Sequence, residues 1–71
     1  MSAREYVVSS DLVWVEYDAP TCTLRIGFHG DSEYEYFDVP KNIYEGLMKA
    51  SSYGTYFHQH IKGCFQYRKT R

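Results

Sequence analysis

The sequence predicts an α+β domain: an antiparallel three- to four-stranded β-meander followed by two α-helices packed on one sheet face. Three observations carry this expectation. Apolar residues alternate with period two in three stretches before Pro40, they switch to helical spacing after it, and turn-forming residues separate one stretch from the next.

In the first stretch, Leu12 to Tyr17, alternation places Val13, Val15 and Tyr17 on one face and Leu12, Trp14 and Glu16 on the other. Asp18-Ala19-Pro20-Thr21 then forms a turn, because Asp can bond its own backbone and Pro fixes φ without needing a donor. The second stretch, Thr23 to His29, sets Leu24, Ile26 and Phe28 against Thr23, Arg25, Gly27 and His29. His29-Gly30-Asp31-Ser32 supplies the Gly and Asp of a hairpin, and Glu33 to Asp38 follows with Tyr34 and Tyr36 on one face and Glu33, Glu35 and Phe37 on the other. Glu5 to Val8 reads as a short edge strand, and Phe65 to Lys69 as a short strand or as extended coil.

Pro40 suits a helix start, where its missing N–H is no loss, and Ile43, Tyr44, Leu47 and Met48 give an amphipathic helix over about 40–50. Ser51-Ser52 ends it and caps a second helix over about 53–62, with Tyr56, Phe57, His60, Ile61 and Cys64 on one stripe and Gly63 as the stop. The helices are expected to cover Val15, Tyr17, Leu24, Ile26, Phe28, Tyr34 and Tyr36. The opposite sheet face is left with Trp14, Arg25, Phe37 and the glutamates.

Seventy-one residues hold one domain, with its core at roughly 6–69, and exclude a dinucleotide-binding fold or an active site spread over long loops. An apolar fraction of 44% excludes disorder. The expectation is a protein without enzymatic activity or cofactor. Two cysteines make no disulfide framework, and neither a leader segment nor an apolar run long enough to span a membrane is evident, so a cytoplasmic location is expected. His58, His60 and Cys64 do not share one helix face and make no zinc set.

The formal net charge of −1 hides a division. Residues 1–40 carry two cations against eight anions, whereas residues 41–71 carry six cations against Glu45 alone. Such a division either packs an acidic sheet on basic helices or turns a basic half toward an anionic partner.

The basic half contains the main binding candidates. At the start of the second helix, Ser51, Ser52, Gly54 and Thr55 offer hydroxyls, a close backbone approach and unpaired N–H groups for a phosphate. The same residues make an ordinary cap, with Gly54 required only for packing. Lys49, His58, Lys62 and Arg68 add cations, while Tyr53, Tyr56 and Tyr67 add rings, a mixture that suits RNA or a small phosphate-bearing nucleotide. With a pI near 6.2 the chain lacks the footprint of a duplex binder. The alternative is a protein–protein module, self-association included, in which Trp14, Phe37 and Arg25 form an exposed patch on the open sheet face; partial burial of that patch under Tyr6-Val7-Val8 is the competing reading.

The order Ser9-Ser10, Tyr17-Asp18, Leu24, Phe28, Gly30, Tyr34-x-Tyr36, Val39-Pro40, Tyr44, Leu47, Ala50, Ser52-x-Gly54-x-Tyr56-Phe57 and Ile61 resembles the KTSC domain family over roughly residues 6–69. That family takes its name from the C-terminus of some bacterial lysyl-tRNA synthetases and includes stand-alone proteins of bacteria and phages. The resemblance implies proximity to RNA or nucleotides. The chain departs from the family pattern at Ser51, His58 and Gln66, where Pro, Asn and Pro are usual.

Overall fold

A computed structural model describes residues 4–71. Five strands, β1 (Glu5–Tyr6), β2 (Leu12–Asp18), β3 (Thr23–Phe28), β4 (Glu33–Tyr36) and β5 (Tyr67–Lys69), form one antiparallel sheet in the order β1-β2-β3-β4-β5. The helices α1 (Lys41–Lys49) and α2 (Tyr53–His60) lie between β4 and β5 in the chain. The sheet therefore has two more strands than the three alternating stretches, because both short terminal segments pair with the meander. Phe65 and Gln66 stay outside β5, which is held by Tyr36 opposite Tyr67 and Tyr34 opposite Lys69.

The turns follow local chemistry. Gly30 and Asp31 take φ of 90° and 67°, and the Phe28 N–H closes the loop on the Ser32 carbonyl at 2.8 Å. Ser52 caps α2 by accepting from the Thr55 N–H at 3.3 Å. Past α2, the chain turns over 61–64, with Gly63 at a φ of 78°. The structure corrects the expected stripe: Phe57 and Ile61 are buried, His60 is exposed within α2, where it packs on Tyr56, and Cys64 is exposed because the helical phase is already lost there.

Leu12, Val15, Leu24, Ile26, Tyr36, Val39, Leu47, Phe57 and Ile61 make the core. Leu12 departs from simple alternation. The β2–β3 register shifts between Leu12 and Trp14, so Val13 is an extra residue and Leu12 turns inward together with Val15. On the helix side, Tyr17 stacks on Tyr44 at 4.7 Å and donates its hydroxyl to the Val39 carbonyl at 2.7 Å, which ties β2 to the start of α1.

On the other face, charges of alternating sign cross the whole sheet. Arg4 pairs with Glu16 at 3.5 Å, Arg25 reaches Glu16 at 3.1 Å and Glu35 at 2.7 Å, and Arg68 reaches Glu35 at 2.7 Å. The cross-strand register aligns Glu16, Arg25, Glu35 and Arg68 in one row. The hydrogen bond from Arg25, and next that from Arg68, holds the buried Glu35 carboxyl below its usual range. A carboxyl lowered by folding stabilises the fold above its unfolded value of about 4.3, and this contribution is lost as pH falls through the lower folded value. Urea midpoints measured between pH 6 and pH 3 are expected to fall less in Glu35→Gln than in the parent; parallel decline in both refutes this role of Glu35.

Candidate functional site

An open cleft of about 620 Å³ lies between α2 and the inner face of β3, β4 and β5. Five rings line it: Phe28 from β3, Tyr34 and Tyr36 from β4, Tyr67 from β5 and Phe57 from α2. Phe57 meets Phe28 edge-on at 5.2 Å and Tyr36 at 5.7 Å, while Tyr67 lies 5.8 Å from both Tyr34 and Tyr36. Tyr67 is 60% exposed, so part of the aromatic surface is open to solvent. Burial, reinforced by the neighbouring Tyr34 and Tyr67, pushes the Tyr36 hydroxyl up to about 12. It therefore stays protonated at neutral pH and can donate.

The two rims differ in charge. Ser10, Asp11, His29 and Ser32 come from the loops flanking β2 and β3, and His58, Lys62 and Gly63 come from the end of α2 and the following turn. The His29 N–H donates to the Asp11 carbonyl at 3.1 Å, and its ring Nε2–H donates to the Ser9 carbonyl at 2.9 Å, which fixes the first rim. The Asp11 carboxylate lies against the Cα of Gly54, where any Cβ would overlap it. Among the described residues it has no side-chain hydrogen bond or ion pair. Lys62 likewise makes no ion pair among them.

The residues singled out from sequence are thereby divided. His58 and Lys62 belong to the cleft. Ser51, Ser52, Thr55 and Tyr56 line a separate depression of about 240 Å³, Tyr53 is half-buried against the core, and Lys49 is exposed at the end of α1. Gly54 is buried, and the first turn of α2 is faced by the chain's own Asp11 carboxylate, where the helix dipole favours a negative charge. Arg68 points to the opposite sheet face and is bound to Glu35, and Arg71 is similarly placed 3.5 Å from Glu33. Part of the basic half thus neutralises the acidic half within the fold.

Sequence reasoning missed Ser10, Asp11, His29 and Ser32. Their signal was the pairing of the two hairpin strands, since Leu12 opposite Phe28 implies that Asp11 and His29 are neighbours one step further on.

The expected exposed patch of Trp14 and Phe37 requires correction. Trp14 is on the predicted face but only 6% exposed. Its indole lies over Gly27, where a Cβ would overlap the ring, and the Arg4 guanidinium covers it at 3.9 Å from the ring centroid. Phe37 is half-buried and Arg25 is committed to two glutamates. The exposed large apolar side chains among the described residues are instead Tyr6, Val8 and Tyr67.

The fold and cleft can be set beside known proteins. A model of the KTSC domain matches residues 8–67. The chain belongs to the KTSC domain family. A KTSC domain protein of Yersinia pestis has a solved structure that superposes with a TM-score of 0.96 at 34% identity, covering all of both chains. Lysine–tRNA ligases of the cyanobacteria Trichormus variabilis and Nostoc sp. are 47% identical over 53 residues, or 75% of this chain, and that of Nostoc punctiforme is 43% identical over the same length. This KTSC domain spans 9% of the length of those ligases. Among its described residues no helix is long and apolar enough to cross a membrane.

Proposed function

We propose that this KTSC domain is a non-enzymatic binding module for RNA or a small phosphate-bearing nucleotide, and that the ring-lined cleft is its binding site. The observation that carries the reading is the conjunction of an open aromatic surface with Lys62, which makes no ion pair among the described residues, and with His58 beside the same cleft. Flat rings stack on unpaired bases, and an adjacent ammonium neutralises the phosphate that accompanies each base. The volume fits a small ligand or one or two nucleotides and excludes a duplex. Its relatives include enzymes that act on tRNA by name, and the cleft suits the unpaired bases such an RNA carries in its loops and ends. The two free cysteines accord with action in a reducing cytoplasm.

A fluorescein-labelled six-nucleotide single-stranded RNA of mixed sequence, titrated at 50 and 200 mM salt, tests the reading. Tyr34→Ala is expected to weaken binding about tenfold through lost stacking. Lys62→Ala should weaken it less and flatten its salt dependence. Lys49→Ala and Arg68→Ala should bind as the parent does. Absence of binding, or equal affinity in all four variants, removes the cleft as the site. Ser52→Ala is a poor probe, because loss of the cap costs about 1 kcal/mol of stability by itself.

A further inference from the structure

Resting on the nucleotide reading of this cleft, we infer that the Asp11 carboxylate makes it selective for guanine, with the phosphate directed to Lys62. Three features support the inference. Asp11 and Lys62 both line the cleft, together with its five aromatic rings. Asp11 sits at Gly54 in the first turn of α2 while Lys62 follows its last turn, a separation on the order of 10 Å at the rise of a helix. That separation suits a ligand with a flat ring in the middle, an anion at one end and hydrogen-bond donors at the other. Finally, the Asp11 carboxylate is without a side-chain partner among the described residues, so its acceptor capacity is open to a ligand.

An ionised carboxylate only accepts, and its two oxygens match two parallel donors best. Guanine offers such a pair on its Watson–Crick edge, the ring N1–H and the exocyclic amino group. Adenine and cytosine each set one amino group beside a ring acceptor, and uracil sets one N–H between two carbonyls, so each of these edges brings a lone pair toward Asp11. A second copy of the acidic group is not needed, because the other first-rim residues supply hydroxyls and an imidazole rather than charge of the same sign.

The test is titration of the isotopically labelled protein with GMP, AMP, CMP, UMP and 2′-deoxy-GMP, followed by amide chemical shifts. GMP and its deoxy form are expected to bind alike and about tenfold or more tighter than UMP. Asp11→Asn, which keeps both backbone hydrogen bonds of residue 11, should abolish that preference by weakening GMP and relieving the lone-pair repulsion that disfavours UMP, and Lys62→Ala should weaken all five. Equal binding of GMP and UMP by the parent overturns the guanine inference and leaves the nucleotide reading standing. So does a loss on Asp11→Asn common to all five. Weak binding of deoxy-GMP alone assigns Asp11 to the ribose and likewise overturns it. If neither these ligands nor the six-nucleotide RNA shifts any cleft amide, the nucleotide reading itself fails.

Discussion

Gly27→Ala is expected to lower the unfolding free energy by about 2–3 kcal/mol, because the added methyl occupies the space of the Trp14 indole. A chain of 71 residues has about 4–11 kcal/mol in all, so this is a large fraction. The midpoint of thermal unfolding should fall by about 10–20 °C. The indole has two responses open to it, and both are costly. It can stay and push β2 from β3, or it can swing into water and lose both Gly27 and the covering Arg4 guanidinium. Trp14 is the sole tryptophan of the chain, so its emission maximum distinguishes these responses directly. Combining Gly27→Ala with Trp14→Leu should recover part of the loss. An unchanged midpoint for Gly27→Ala alone refutes the packing described for this face.

Phe57→Ala is the second large effect, expected to cost about 3–5 kcal/mol. Phe57 is buried, contacts Phe28 and Tyr36 edge-on, and serves both as core and as one wall of the cleft. The alanine variant should be mostly unfolded near 37 °C, which hides any effect on binding. Phe57→Leu separates the two roles. It retains most of the apolar volume and should cost under about 1.5 kcal/mol. It nevertheless removes a ring from the cleft, so the six-nucleotide RNA should bind more weakly to a folded protein. Unaltered affinity in Phe57→Leu would show that α2 contributes no stacking surface.

Much of the fold was legible because local chemistry and global arrangement agree. The period-two stretches, Gly30, the Ser52 cap and the Gly63 stop each act within a few residues of themselves. Leu12 was misassigned because a bulge inserts Val13 and shifts the phase, something alternation cannot report. Trp14 was assigned to the correct face yet the wrong depth. Its burial depends on the absence of a side chain at Gly27 across the strand and on Arg4 folding over it. The site was half legible. Cations and rings in the last third did include His58, Lys62 and Tyr67, but the opposing rim comes from residues 10–32, whose acidic character directed attention away from them. For Gly54 the sequence leaves two readings open, since a glycine required for packing has the same sequence signature as one that admits a phosphate, and the structure shows it buried beside a carboxylate.

The place of β5 in the chain has a consequence for the order of assembly. Tyr36 pairs with Tyr67 and Tyr34 with Lys69, so the fourth and fifth strands meet only after both helices have been made and folded back. Synthesis supplies the N-terminal strands first. The β2–β3–β4 meander has all its strands once residue 36 has been made, whereas the Tyr67 wall and the Arg68 bond to Glu35 wait for residues 67 and 68. The cleft is thus completed by the strand of the sheet that is made last, one whose alternate residues serve opposite faces. A domain stalled before β5 is made would display four paired strands and no finished binding surface.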